Sequence, residues 1–294
     1  MKNTALRADL LLLLTAMIWG FAFVAQRVGM DYIGPFTYNG VRFALGSLSL
    51  LPLIAFNRHL RRTQTPHKPV GHGRALWSGG LLAGGALFAG ASLQQVGLVY
   101  TTAGKAGFIT GLYVVIVPLL GLVWSHRPTR GTWAGAMLAT VGLYLLSVTE
   151  SFTIAFGDLL VLLGAFCWAG HVLLIGWLSP RMDAVKLAAV QFAVCALLSL
   201  LVAAGMESIV LVDIARAAIP ILYGGLFSVG IAYTLQVVAQ RDAHPAHSAI
   251  LLSLEGVFAA LGGWFLLSET LGMRALVGCG LMLVGMICSQ VVKR

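Results

Sequence analysis

Charge is what this sequence has least of. Only 10% of its 294 residues are Asp, Glu, Lys or Arg, while 59% are hydrophobic. Soluble globular proteins carry about 25% charged residues, so the scarcity excludes a soluble domain of ordinary composition. The mean hydropathy of +0.91 agrees. The composition therefore predicts a polytopic membrane protein.

Cysteine is also scarce, and no cysteine has the spacing of a metal site or a disulfide framework. The two cytoplasmic-turn histidines, His244 and His247, flank Pro245 without the carboxylates of a zinc site. We therefore expect no metal and no cofactor, and we interpret the cysteines as small core residues. The four cysteines all lie inside apolar runs: Cys167, Cys195, Cys279 and Cys288.

Catalytic motifs are missing as well. Nothing in the sequence matches GxSxG, a phosphate-binding P-loop or HExxH, so there is no positive case for an enzyme. The formal charge of +9 would suggest a nucleic-acid partner in a polar protein. Here the basic residues lie between apolar runs, where they set membrane orientation instead. We expect neither catalysis nor nucleic-acid binding.

Long apolar runs are what the sequence has in abundance. Runs of about 18 to 24 residues are typical of transmembrane helices. The first run contains Trp19 and no small-residue cleavage site, so we predict a retained span and not a signal peptide. The ten predicted spans are Leu10–Val28, Gly34–Phe56, Ala75–Val99, Ala103–Trp124, Gly131–Val148, Phe156–Leu178, Ala184–Gly205, Ala217–Gln240, Ala246–Leu267 and Met273–Val292.

The basic residues predict the orientation of these spans. With the N-terminus in the cytoplasm, fourteen lysines and arginines fall on the cytoplasmic side, and only Lys105, Arg216 and Arg274 fall outside. Positive charge accumulates on the cytoplasmic side of membrane proteins. We therefore expect a multi-pass protein of the bacterial inner membrane with both termini cytoplasmic.

An internal repeat organises the whole chain. Asp9–Arg42 recurs without a gap at Asp158–Gln191, 149 residues later. Farther along, the offset becomes 142 residues, and Tyr113 falls on Glu255. A period this long indicates a duplicated multi-helix unit and not a solenoid.

The repeat predicts the domain organisation. Residues 1–148 and 158–294 would each form a five-helix unit, joined by a linker at 149–157. Because five is odd, the two units would enter the membrane with opposite orientation. The predicted fold is all-α, with ten transmembrane helices arranged as two inverted repeats around a central cavity.

Glycine spacing suggests close helix packing. Gly135 and Gly142 in the fifth span match Gly278 and Gly285 in the tenth. We interpret these pairs as packing grooves in preference to a substrate path. A dimer contact through the same grooves is the alternative, so both a monomer and a homodimer fit the sequence.

Glu255 is the one acidic residue predicted at mid-depth in a span. An ionisable side chain in hydrocarbon costs about 2.5 kcal/mol or more, and burial favours its protonated form. Glu255 is therefore a candidate proton-coupling or cation site. The alternative is a neutral, hydrogen-bonded glutamate that fixes its helix to a neighbour.

Arg42 is the corresponding basic candidate. Tyr38 and Asn39 share its helix face at i−4 and i−3. Arg42 could hold the carboxylate of a substrate or form an internal pair with Glu255, and the sequence leaves both open. Arg27, at a helix end, can extend to the interface instead.

The repeat also selects candidate cavity residues, because a cavity on the axis between inverted units is lined by equivalent positions. Trp19 matches Trp168, and Gln94 matches Gln236. Helix packing is the alternative for each position alone. The predicted substrate-binding residues are Trp19, Asn39, Arg42, Gln94, Tyr113, Trp168, His171, Tyr233 and Gln236, with Glu255 as the coupling candidate.

Taken in order within the two repeats, the sequence resembles the drug/metabolite transporter superfamily, and within it the EamA-type ten-helix carriers. Two departures, Gly256 in place of proline and Ser268 in place of glycine, leave local helix bending there open. The resemblance rests on Trp19-Gly20, Arg42-Phe43, the segment from Ala106 to Val115, Pro118 and the segment from Leu267 to Leu271.

The resemblance implies an inner-membrane carrier whose central cavity is lined by helices one to four and six to nine. Such carriers export small metabolites or drugs, and this sequence is most similar to the bacterial exporters of amino acids, including aromatic ones. The expected partners are a small-molecule substrate, the lipid bilayer and a proton or counter-substrate. A multidrug carrier and a lipid-handling or structural membrane protein are the alternatives.

Overall fold

A computed structural model describes residues 2–56, 73–101, 103–123, 128–147, 156–266 and 272–291. All regular structure in these ranges is helical. One segment, Tyr223–Tyr233, is a π-helix. The α-helices are α1 Lys2–Gly29, α2 Pro35–Ser49, α3 Gly73–Tyr100, α4 Ala103–Gly111, α5 Tyr113–Val123, α6 Arg130–Ser147, α7 Phe156–Leu178, α8 Ala184–Met206, α9 Leu211–Arg216, α10 Ala218–Leu222, α11 Thr234–Ala239, α12 Pro245–Leu252, α13 Glu255–Leu266 and α14 Met273–Val291.

Among the described residues, seven helices are long and apolar enough to cross a membrane. Two shorter apolar helices, Ile109–Val123 and Leu276–Ser289, coincide with the fourth and tenth predicted spans. The count of ten spans stays a prediction, as does the linker at 149–157, most of which lies outside the described residues. The seven are Thr4–Gly29, Pro35–Phe56, Arg74–Tyr100, Phe156–Arg181, Ala184–Met206, Ala218–Ala239 and Pro245–Leu266.

Two predicted continuous spans are interrupted in the structure. The fourth breaks at Leu112, between α4 and α5, and the ninth breaks at Ser253 and Leu254, between α12 and α13. Hydrogen bonds with i→i−3 spacing mark both breaks, including the one from Leu112 N to the Ile109 carbonyl at 3.2 Å. The second break forms although Gly256 replaces the expected proline. Both breaks come directly before a predicted site residue, which is where discontinuous helices place binding groups in transporters.

The eighth predicted span also departs from a regular α-helix. α10, the π segment Tyr223–Tyr233 and α11 follow one another without a gap. π-helices are rare and are frequently found at functional sites. Apolar periodicity does not distinguish them from α-helices, so the residue pattern does not predict this one.

The α2 and α8 N-termini are capped by carboxylates from different sources. Asp183 precedes α8 and accepts hydrogen bonds from Val185 N and Lys186 N, both at 3.2 Å. The repeat places Gly34 at the equivalent position, and Gly34 has no side chain. Glu207, after α8, instead accepts hydrogen bonds from the α2 amides of Phe36 and Thr37 at 2.8 Å. This contact joins α2 to the end of α8, and both caps complement the positive helix end.

A hydrogen-bonded group at the start of α12 joins three helices. His247 Nε2 lies 2.8 Å from Asp9 Oδ1 on α1, and its Nδ1 lies 3.2 Å from Ser289 Oγ on α14.

Within the described ranges, no group of three or more His, Cys, Asp or Glu side chains is arranged to hold a metal ion. All four cysteines are free thiols.

The glycine grooves lie within one chain. A Cβ atom added to Gly142 would lie 2.5 Å from the Gly278 carbonyl oxygen, and one added to Gly135 would lie 2.6 Å from that of Gly285. The backbones of α6 and α14 therefore touch, which glycine alone permits. These grooves are occupied by packing within one chain, as the interpretation of them as packing grooves predicts.

A leucine at Gly285 should destabilise the α6–α14 contact. Its Cβ would lie 2.7 Å from the Gly135 carbonyl oxygen, whereas a Cβ at Gly280 on the same helix would meet no atom within 4 Å. We expect Gly285→Leu to lower the unfolding temperature in detergent by roughly 3 to 10 °C. Gly280→Leu is the matched control and should leave it unchanged. Equal melting of the two variants would contradict the assignment.

Candidate functional site

The structure brings nine of the ten predicted site residues to one central cavity. They come from both halves of the sequence and from eight helical elements, so the cavity lies at the centre of the fold. Asn39 is the exception and lies behind Arg42. The nine are Trp19, Arg42, Gln94, Tyr113, Trp168, His171, Tyr233, Gln236 and Glu255.

Aromatic rings form one wall of the cavity. The ring of Tyr233 lies 4.5 Å from that of Trp19 and 6.1 Å from that of Trp168, measured between centroids. Phe43 and Phe192 support Tyr233 from behind, each at 6.0 Å. These separations are typical of favourable aromatic pairs. The wall presents flat apolar surface to a ligand.

Gln94 links three polar neighbours. Its Oε1 accepts hydrogen bonds from Trp168 Nε1 at 2.9 Å and from Thr110 Oγ1 at 3.4 Å. Its Nε2 donates to Gln26 Oε1 at 3.2 Å. Gln94 therefore fixes the Trp168 indole and has little capacity left for a ligand.

Arg42 is a buried cation with unused donors. Only 2% of its surface is exposed, and its Nε donates to Asn39 Oδ1 at 3.0 Å. Its guanidinium carbon lies 5.3 Å from the Tyr38 ring centroid and 4.8 Å from that of Phe43. Within the described chain its terminal nitrogens have no hydrogen-bond partner and Arg42 has no ion pair. They are available to an anion that enters the cavity.

Glu255 meets its repeat equivalent. Tyr113 Oη donates a hydrogen bond to Glu255 Oε1 at 3.1 Å, and both residues begin the second part of a broken helix. Glu255 is only 4% exposed. Arg42 and Glu255 line the same cavity without forming an ion pair. The hypothesis of an internal Arg42–Glu255 pair is therefore wrong for this conformation.

His171 binds the repeat equivalent of Arg42. Its Nε2 lies 2.9 Å from Gln191 Oε1, while its Nδ1 is buried without a partner. The stacked Trp168 and Tyr233 rings meet the imidazole edge-on, at 6.1 and 6.3 Å. The imidazole thus lines the cavity next to the repeat equivalent of Arg42.

Other residues that line the cavity are not among the predicted substrate-binding residues. Phe23 and Gln26 share a helix face with Trp19, and both line the cavity. Thr110 lies three residues before Tyr113, a spacing that could have pointed to it. Ser228 contributes its backbone carbonyl, which accepts a hydrogen bond from Trp19 Nε1 at 3.2 Å. No side-chain pattern predicts a backbone acceptor.

The cavity is nearly closed in this conformation. Its volume is about 30 Å³, which is room for about two water molecules. Pockets that hold metabolites are about 300 Å³ or larger. Helices must separate before a metabolite fits, so this conformation is one of at least two that a ligand would require.

Comparison with known proteins identifies the family. The profile of the EamA-like transporter family matches twice, at residues 6–148 and 155–290. An uncharacterized transporter of Archaeoglobus fulgidus is 32% identical over 285 residues, which is 96% of this chain and 85% of that protein. The uncharacterized transporter YoaV of Bacillus subtilis is 22% identical, over 92% of this chain and 91% of that protein.

The fold has a counterpart among solved structures. One described as "Crystal structure of protein" superimposes with a TM-score of 0.77 and covers 97% of this chain and 96% of that one. At 18% sequence identity, this likeness establishes the fold alone. With the family match, it makes the protein a multi-pass, all-helical membrane protein.

Proposed function

Because the chain belongs to the EamA-like transporter family, we propose that it exports small amphipathic metabolites, in particular amino acids, by alternating access through the central cavity. Membrane transport is the function its relatives share. The proposed part is the substrate class, and the observation that carries it is the state of Arg42. A buried guanidinium whose terminal nitrogens have no hydrogen-bond partner among the described residues is suited to bind an anion.

A carboxylate suits this site better than any other small anionic group of an amphipathic metabolite. The guanidinium plane binds the two oxygens of a carboxylate in a bidentate manner. Tyr233 lies on the same cavity wall, and its hydroxyl has no hydrogen-bond partner in the described chain. Arg42 and Tyr233 together would donate to one carboxylate.

The rest of the cavity favours a zwitterion with an apolar side chain. Glu255 keeps one carboxyl oxygen without a hydrogen-bond partner among the described residues, and that oxygen can accept from an ammonium group. Trp19 and Trp168 supply the apolar surface. An amino acid has these three parts within one small molecule.

The proposed architecture is ten spans in two inverted repeats, formed by residues 1–148 and 158–294. Three observations support it. The family profile matches the two halves separately. The helix breaks at Leu112 and Leu254 are 142 residues apart, equal to the repeat offset. Tyr113 and Glu255, which the offset makes equivalent, touch each other. We further propose that both termini face the cytoplasm of a bacterial cell.

A proton is the proposed coupling ion. A tenfold substrate gradient requires about 1.4 kcal/mol. One charge that crosses a potential of 100 mV supplies about 2.3 kcal/mol. One proton carried by Glu255 would therefore be enough, and exchange against a counter-substrate is the alternative.

Counterflow in liposomes tests the proposed function. Purified protein would be reconstituted with an excess of one unlabelled compound inside the liposomes and the same compound, labelled, outside. The compounds screened would be amino acids, nucleosides and cationic drugs. We expect transient accumulation of amino acids, greatest for those with large apolar side chains. Accumulation of cationic drugs alone would favour a multidrug carrier. Absence of saturable flux for every compound would favour a lipid-handling or structural protein.

A further inference from the structure

The two cavity tryptophans use different acceptors, although the repeat makes their positions equivalent. Trp168 Nε1 donates to the Gln94 side chain at 2.9 Å, whereas Trp19 Nε1 donates to the Ser228 carbonyl at 3.2 Å. The repeat equivalent of Gln94 is Gln236. The structure therefore contains one of two equivalent Trp–Gln hydrogen bonds between the halves, Trp168–Gln94, and lacks the other, Trp19–Gln236.

Gln236 has the free acceptor that the missing bond needs. Its Oε1 is buried and has no hydrogen-bond partner, while its Nε2 donates to Gln240 Oε1 at 3.1 Å. Gln240 Nε2 in turn donates to the Val172 carbonyl at 3.0 Å. An unpaired buried acceptor is unfavourable, so a conformation that gives Gln236 Oε1 a donor gains stability.

The helix before Gln236 is the one that is irregular. The π segment Tyr223–Tyr233 contains the Ser228 carbonyl, and the equivalent residues 81–91 lie within the regular helix α3. Thr15 Oγ1 on α1 also donates to a carbonyl of this segment, that of Ala232, at 3.2 Å. Conversion of π to α geometry changes the rotation of every following residue about the helix axis. Such a conversion would re-aim Gln236.

We propose that Gln236 is a positioning residue for Trp19. In the second access state, the π segment becomes α-helical, and Trp19 Nε1 leaves the Ser228 carbonyl to donate to Gln236 Oε1. Trp168 releases Gln94 in the same transition, so one Trp–Gln bond replaces the other. The inference rests on the proposed function, because it assumes that the two halves exchange conformations during alternating access.

The exchange of hydrogen bonds also determines which tryptophan of the aromatic wall is held in place. A glutamine holds only one indole in each state, that of Trp168 in the present state and that of Trp19 in the second. The ligand therefore meets a different fixed tryptophan when the cavity opens to each side of the membrane. Gln236 then acts on the ligand through Trp19 and does not itself have to touch it. The amide oxygen of Gln236 is buried in the present conformation, which agrees with this indirect role.

Two matched variants test the proposal, Gln236→Leu and Gln94→Leu. The readout is the indole Nε1–H resonances of ¹⁵N-tryptophan-labelled protein in nanodiscs without added substrate, with Trp19 assigned through Trp19→Phe. Gln94→Leu weakens the present state and should raise the second Trp19 population about fivefold, the effect of one hydrogen bond. Gln236→Leu should lower that population about fivefold. The double variant should return to the wild-type ratio.

Shifts of the Trp19 resonance in the same direction in both single variants, or no shift in either, would overturn the proposal. A merely structural Gln236 would change the unfolding temperature and leave the ratio of the two Trp19 populations at its wild-type value. Failure of the proposed function gives a different result. The wild-type protein would then show no counterflow, while opposite shifts in the two variants would still establish the positioning role.

Discussion

Replacement of Arg42 by methionine is expected to reduce counterflow of an amino acid by about 10- to 100-fold. Hydrogen bonds to a charged group contribute about 1.5 to 3 kcal/mol, and each 1.4 kcal/mol is a factor of ten. Arg42 uses one donor for Asn39 and leaves the others for a ligand. Methionine keeps much of the side-chain length and volume, so the protein should still fold and insert.

The matched control for Arg42→Met is Arg27→Met. Arg27 is exposed and forms an ion pair with Asp31 at 2.9 Å, away from the cavity. Counterflow of the amino acid would be measured beside that of its carboxamide, which lacks the negative charge. Wild type and Arg27→Met should prefer the acid, and Arg42→Met should lose that preference. If Arg42→Met still discriminates between acid and amide, Arg42 does not bind the carboxylate.

Replacement of Glu255 by glutamine is expected to abolish accumulation driven by a pH gradient and to preserve exchange at zero gradient. Glutamine has nearly the same size and still accepts the hydrogen bond from Tyr113 Oη. It cannot carry a proton between the two sides of the membrane. The variant thus separates coupling from binding.

Tyr113→Phe is the complementary control, because it removes the hydrogen bond that Glu255→Gln keeps and it keeps the carboxyl group that Glu255→Gln removes. It should retain gradient-driven accumulation. Accumulation at the wild-type level in Glu255→Gln would exclude a coupling role for Glu255. Loss of both accumulation and exchange would instead indicate that Glu255 binds substrate or supports packing.

Sequence reasoning located the cavity through two independent signals. The repeat paired Trp19 with Trp168 and Tyr113 with Glu255, and the cost of a charge in hydrocarbon singled out Arg42. All five residues line one cavity in the structure. Positions near an axis between equivalent halves converge on one another, which is why the repeat was informative about place.

Other parts of the site could not be predicted because they are properties of the backbone. The apolar pattern continues through Leu112 and Leu254, so neither helix break has a side-chain signal. The π segment that ends at Tyr233 is as apolar as an α-helical span. The acceptor for Trp19 is a carbonyl, that of Ser228, and every residue type has one. Such features follow from tertiary packing and not from residue type.

Alternating access of the cavity is the central claim, and a single cysteine at Thr110 tests it most directly. Thr110 lines the cavity and is only 3% exposed. In Thr110→Cys protein whose four native cysteines are replaced, a membrane-impermeant thiol reagent should label the cysteine from either side of proteoliposomes. Saturating transported amino acid should slow labelling from both sides. Labelling from one side only, under every condition that supports flux, would contradict the account.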